Sequence, residues 1–240
     1  MHTKQTVDVL GDAMEILVFA PPGNGPHPGV VHTQHLPVAH KGLETDPFTL
    51  DVGERLANAG YACVIPYMFH RWPPEEDIQR KRDQWRDDWA VADLDVAHEI
   101  LCAVDGVDKD HIGIMGHCWG GRNAWIGACH NTNYKACGVF YGGRIKLGMG
   151  DGAPPPIGLA GNIACDLIGI FGNTDENPSP ADVNDLGAAL TKAGVAHEFH
   201  QYDDAGHGFQ DFVNPDRFRA EATDDSWEKF FAFFDARLKT

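Results

Sequence analysis

No run in this 240-residue sequence approaches the roughly 18 apolar residues that a membrane-crossing helix needs. The opening residues, Met1-His2-Thr3-Lys4-Gln5-Thr6-Val7-Asp8, also lack the apolar stretch of a secretory signal, which points to the cytoplasm. Positive charge is scarce: 19 Lys and Arg face 35 Asp and Glu, a formal net charge of −16. That balance argues against nucleic-acid or anionic-membrane partners, and an anionic small molecule would need a local basic pocket to be captured. Cysteines stand only at positions 63, 102, 118, 129, 137 and 165, with no Cys-x-x-Cys pair, so a disulfide framework is not expected. Repeats, low-complexity tracts and dividing linkers are absent, as are P-loop and dinucleotide fingerprints. One domain over 1–240 is expected, long enough to bury a full core.

What is present is an alternation of apolar strand-like runs with helical segments. A hairpin is expected over 6–10 and 14–19 around Gly11-Asp12, followed by a strand over 30–33. Asp46 as N-cap, Pro47 at the first helical position and Gly60 past the end mark a helix. Strands are expected at 62–65, 111–115, 136–141, 166–171 and 196–202, with helices at 87–104, 118–129 and from Ser179-Pro180 to Gly194. Trp227, Phe230, Phe231, Phe234 and Leu238 recur at helical spacing, a stripe best explained by packing on the sheet. The pattern implies an α/β fold, a mostly parallel twisted sheet with helices on both faces, whose ligands bind at the carboxyl ends of the strands.

Gly116-His117-Cys118-Trp119-Gly120-Gly121 lies between the strand at 111–115 and the helix that follows. This is a nucleophile elbow with sulfur in place of the usual oxygen, the turn of the α/β-hydrolase fold. A nucleophile on so sharp a turn needs glycines beside it, and the helix N-terminus favours a thiolate. The alternative is that Cys118 is one more packed thiol, as Cys63, Cys129, Cys137 and Cys165 are expected to be. In this fold the acid and then the histidine follow the nucleophile. His207, in Gly206-His207-Gly208-Phe209 after the last strand, is the candidate base. Asp175, after the strand at 166–171, is the candidate acid, preferred to Glu176 for its shorter side chain; a plain turn-capping role is the alternative. The backbone N–H groups of Leu36 and Trp119 are the expected oxyanion hole. Tyr141 and Arg144, at and just beyond a strand end, are candidate substrate-binding residues, or equally edge residues without a function. His197-Glu198-Phe199-His200 resembles a ligand pair, but strand residues three apart face opposite sides, and His32, His35 and His40 lack companion ligands, so no metal is expected.

Over nearly its whole length the chain resembles the dienelactone hydrolase (carboxymethylenebutenolidase) family, through the elbow, the 172–175 segment and Gly206-His207-Gly208-Phe209. The resemblance implies a Cys118–Asp175–His207 triad, no cofactor, and hydrolysis of small lactones or esters through an acyl-thioester. It also implies two departures. Where relatives carry a glutamate that holds the resting thiol, this chain has His35, which if protonated would favour the thiolate instead. Of two arginines that bind a substrate carboxylate in the family, Arg82 matches one, while Asp211 occupies the place of the other. Selection for a carboxylate is therefore expected to be weak, unless Arg86 or Arg217 fills the gap. Other readings are a general carboxylesterase or thioesterase, and a relative without turnover that binds a ligand or senses redox state.

Overall fold

The computed structural model describes residues 2–239. Strands β1 (His2–Val9), β2 (Asp12–Phe19), β3 (His27–Thr33), β4 (Ala62–Pro66), β5 (Val107–His117), β6 (Ala136–Phe140), β7 (Asp166–Gly172) and β8 (His197–Tyr202) form one sheet in the order β1-β2-β4-β3-β5-β6-β7-β8. The first three strands in that order pair antiparallel, and all pairs from β4 to β8 are parallel. The helices are α1 (Val38–Lys41), α2 (Pro47–Asn58), α3 (Ile78–Asp83), α4 (Asp87–Ala103), α5 (Trp119–His130), α6 (Pro180–Ala193) and α7 (Ala220–Leu238). Among the described residues, no helix is long and apolar enough to cross a membrane.

The punctuation read from the sequence is in place. Asp46 caps α2 by accepting from the Thr49 backbone N–H at 3.0 Å, with Pro47 opening the helix. Ser179 and Asp182 form a reciprocal capping box on α6, and Gly194 ends it in the left-handed region at φ 75°. Strand β4 is buried at every position, as a strand covered on both faces must be. A side chain at Gly113 would run into Phe234 and Leu238 of α7, whereas the adjacent Ile114 lies against Gly127 of α5, beside Leu94 of α4. Neighbouring strand residues point to opposite faces, so α7 covers one face and α4 with α5 the other.

The aromatic stripe of α7 is core: Phe230 and Phe234 are fully buried, their rings 4.1 Å apart. Phe234→Ala is expected to cost about 3–5 kcal/mol, the usual price of emptying a buried phenylalanine site. A urea titration reads it as a lowered midpoint at unchanged slope.

The strands differ from the sequence reading mainly in length. β1 starts at His2, because an exposed edge strand is held by ladder bonds to β2 that a hydrophobic pattern does not reveal. β3 and β5 extend to His27 and Val107, which pair beyond a register shift at Pro28/Gly29. α3 was not anticipated; it is short and charged, and it starts where Asp77 accepts the Gln79 and Arg80 N–H groups at 2.9 and 3.1 Å.

Candidate active site

The carboxyl ends of β5, β7 and β8 bring together the three residues that the sequence placed in one constellation. Cys118 follows β5 directly and takes φ 58°, ψ −118°, a conformation that costs an L-residue of order 1–3 kcal/mol. Its N–H donates to the Phe140 carbonyl at 2.9 Å, pinning the turn to β6. Glycine is obligatory beside it: a Cβ on Gly116 would lie 2.0 Å from Thr33 Oγ1, and one on Gly120 would lie 2.0 Å from the Thr33 carbonyl oxygen. The elbow is therefore pressed against the end of β3.

His207 Nε2 lies 2.9 Å from Cys118 Sγ, and its Nδ1 lies 2.8 Å from Asp175 Oδ2. Asp175 is buried and its other oxygen accepts the Asn177 N–H at 2.8 Å, whereas Glu176 is exposed. Thr174 ties the acid loop to the base loop through its N–H and hydroxyl, both on the Ala205 carbonyl. Burial by itself would push the Cys118 thiol up. The charge of His207, its hydrogen bond and the backbone N–H groups of Leu36 and Trp119 outweigh burial and bring it below the ordinary thiol value. Burial conversely pulls His207 down, but the sulfur and the Asp175 carboxylate raise it to about 10. The two shifts run in the directions that favour a thiolate–imidazolium pair. The same N–H groups that favour a negative sulfur can receive a negative oxygen formed beside it.

The other thiols move the opposite way: burial raises Cys63, Cys102, Cys129, Cys137 and Cys165. Iodoacetamide is accordingly expected to label Cys118 first, with a midpoint below the roughly 8.5 of a free cysteine. His207→Gln removes the cation and leaves burial opposed only by the backbone N–H groups of Leu36 and Trp119, so the midpoint should move to higher pH. A rate-versus-pH series on both proteins, with the labelled peptide identified by mass, checks the sign; an unmoved midpoint would refute the pairing.

The cavity above the sulfur has a volume of ≈ 160 Å³ and is lined by Leu36, Arg82, Cys118, Trp119, Gly143, Arg144, Asn177 and His207. No carboxylate is among them, and two guanidinium groups are. Arg144 loses some of its proton affinity through burial and the nearby charge of Arg82, a sign that the two cations share this space. A larger cavity of ≈ 280 Å³ lies between the start of α4 and residues 150–156, but it holds no member of the triad and no nucleophile.

His35, expected beside the thiol at the substrate site, and Tyr141, a candidate substrate-binding residue, are placed differently. The His35 ring is buried and engaged by Asp46 Oδ2 at 2.7 Å, tilted against Phe48 at 4.9 Å, and it does not line the cavity. The capping carboxylate of α2 claims it, so His35 is neither at the thiol nor in solvent. Tyr141 is likewise buried, edge-on to His207 at 5.4 Å and to Phe209 at 5.6 Å; it packs against the base. Asp211 accepts the Val213 N–H at 3.1 Å and closes a turn. Arg86 is taken up by Asp88 and Asp151. The second cation at the cavity is Arg144.

Sequence reasoning missed Asn177 and a buried polar chain beneath the elbow. His117 Nε2 lies 2.9 Å from Gln210 Oε1, and His117 Nδ1 lies 3.3 Å from His32 Nε2. Burial lowers the proton affinity of both imidazoles, so each is neutral, and His117 donates to Gln210 while accepting from His32. Gln210 in turn donates to Ser226 at 2.6 Å. The residue before the nucleophile and the loop after the base are thus joined inside the core. No spacing in the sequence signals that link.

Residues 14–238 match the model of the dienelactone hydrolase family. A protein of Synechocystis sp. provisionally named carboxymethylenebutenolidase is 32% identical over 200 residues, spanning 79% of this chain and 80% of the relative. The carboxymethylenebutenolidase of Rhodococcus opacus is 28% identical over 200 residues, 80% of this chain and 77% of its own. The crystal structure of a provisionally named dienelactone hydrolase from Klebsiella pneumoniae subsp. pneumoniae superposes at TM-score 0.85, covering 98% of each chain at 25% identity.

Proposed function

Because the chain belongs to the dienelactone hydrolase family, we propose that it hydrolyses a small ester or lactone carrying an anionic group, through a thioester on Cys118. The observation that carries this reading is the Cys118–His207–Asp175 chain of contacts at 2.9 and 2.8 Å, opening on a cavity rimmed by Arg82 and Arg144.

The thiolate of Cys118 attacks the carbonyl carbon, forming a C–S bond and moving the π electrons onto oxygen. The backbone N–H groups of Leu36 and Trp119 receive that oxyanion. Collapse breaks the C–O bond, and the departing oxygen takes the proton from His207 Nε2. Neutral His207 then removes a proton from water as the water oxygen adds to the thioester. The second collapse expels the thiolate and releases the acid, restoring the ion pair. Asp175 holds the imidazole orientation and stabilises its charged form at both stages. A lactone would leave as one ring-opened molecule.

With the guanidinium groups of Arg82 and Arg144 beside the Cys118–His207 pair and no carboxylate in its lining, the cavity suits a carboxylate on the substrate. A matched pair of aryl esters, one ending in a free carboxylate and one capped as the methyl ester, tests this. The free acid is expected to have a kcat/KM at least about tenfold higher, the worth of one charged hydrogen bond. Arg144→Gln should remove most of that preference. Equal rates for the two esters would overturn the anionic assignment, and no hydrolysis of any ester or lactone in a panel would overturn the activity.

A further inference from the structure

Arg122 is completely buried in the first turn of α5, four residues beyond the nucleophile, and its own N–H donates to the Cys118 carbonyl at 3.3 Å. A buried guanidinium is costly unless its donors are all answered, and a well-packed apolar residue there would often be as stable. Its donors are answered in a specific way. Nη1 and Nη2 donate to the two oxygens of Asp87 at 2.6 and 3.0 Å. Nε donates to the Arg144 carbonyl at 3.2 Å, and Nη2 also to the Leu147 carbonyl at 2.6 Å. Asp87 completes the clamp by accepting the Met149 N–H at 3.0 Å.

The segment so gripped includes Arg144, whose φ of 55° is left-handed and strained for a residue with a side chain. Such a conformation persists only where the surroundings over-determine it. On its other side the Arg144 N–H donates to Asn177 Oδ1 at 3.2 Å, and Asn177 is itself held by Asp175 at 2.8 Å. The backbone of Arg144 is thereby tied to the nucleophile's helix through Arg122 and to the acid loop through Asn177. The guanidinium of Arg144 has no hydrogen-bonded acceptor among the described residues and lines the cavity.

We propose that the buried Arg122–Asp87 pair is a positioning device that holds Arg144 in its left-handed conformation, so that its guanidinium stays at the cavity and sets the preference for an anionic substrate. This rests on the reading of Arg144 as the substrate's anion partner. Arg122 does not touch the reacting atoms; it fixes the distance between the nucleophile's helix and the group that reads substrate charge.

The test uses the same pair of charged and neutral esters with Arg122→Lys, which keeps the charge but cannot fork to four acceptors. Turnover of the neutral ester should stay within about threefold, while the charged-to-neutral ratio of kcat/KM falls about tenfold, mainly through KM for the charged ester. In an Arg144→Gln background, Arg122→Lys should lower the ratio no further, as expected of residues acting in series. Equal losses on both esters would mean a merely structural role and overturn the proposal, as would a further loss of selectivity in the double variant. If Arg144→Gln lowers the ratio and Arg122→Lys does not, this inference fails while the anionic reading stands. If Arg144→Gln has no effect on the ratio, both fail. Should Arg122→Lys not fold, Asp87→Asn weakens the same clamp while keeping an acceptor for Arg122, and the same outcomes apply to it.

Discussion

Cys118→Ala is expected to lower ester hydrolysis by about 10⁴–10⁶-fold, the range seen when a triad enzyme loses its nucleophile. The change removes one sulfur atom from a half-buried site and leaves Cβ in place, so the strained turn, with its N–H on the Phe140 carbonyl, should survive. The urea midpoint and circular dichroism should therefore match the wild type. Loss of the sulfur also removes a partner that raises His207, so the imidazole of the variant should titrate lower, which proton NMR can follow. Cys118→Ser tests a finer point. A hydroxyl is not ionised by the arrangement that lowers the thiol, so serine should restore only a small part of the activity even though the elbow accommodates it in related folds. Full activity in the alanine variant would remove the nucleophile from the account.

The second large effect is expected at the base. On the proposed mechanism, His207→Ala takes away both the cation that favours an ionised Cys118 and the group that protonates the leaving oxygen and activates water. Losses of about 10³–10⁴-fold or more in kcat follow from comparable triads. Asp175→Asn keeps a hydrogen-bond partner of similar shape but cannot stabilise the imidazolium, so its loss should be smaller than that of His207→Ala and fall on kcat more than on KM. Glu176→Gln, at an exposed position outside the hydrogen-bonded chain, should stay near wild type. Steady-state kinetics on the three variants with one aryl ester decide the order; a damaged Glu176→Gln beside an intact Asp175→Asn would exchange the assigned acid.

Local chemistry made the elbow and its partners legible. Glycines at 116 and 120 are required by a contact as short as 2.0 Å to β3, and that steric demand is written into the motif itself. Asp175 and His207 could be found because the fold places them just after two strands whose apolar runs are plain. Helix ends were equally readable at Asp46, Ser179 and Gly194, where one side chain or one backbone angle does the work. What could not be read depends on groups distant in sequence. The family resemblance put His35 in the place of a residue that holds the thiol, yet the carboxylate of Asp46, eleven residues on, captures its ring at 2.7 Å. Arg144 was legible as a candidate substrate-binding residue, but not as the second cavity cation, whose place in the family falls at Asp211 here. Arg144 reaches the cavity from a different loop because Arg122 and Asn177 hold its backbone in a left-handed turn. Nothing in the order of residues 142–149 announces that turn, and nothing in the sequence singles out Arg122, which is completely buried in α5. The His117–Gln210 contact spans 93 positions and has no sequence signature at all.

A covalent acyl group that passes through the sulfur of Cys118 can be caught by rapid-quench mass spectrometry. The enzyme is mixed with an excess of an activated aryl ester, stopped in acid within milliseconds to seconds, and digested. The peptide containing Cys118 is expected to gain the mass of the acyl group no more slowly than turnover, as an adduct that neutral hydroxylamine cleaves as it does thioesters. The aryl alcohol should appear in a burst equal to the enzyme whenever deacylation limits the rate. An acyl adduct on another residue, or turnover with an unmodified Cys118 peptide and an active Cys118→Ala variant, would contradict it.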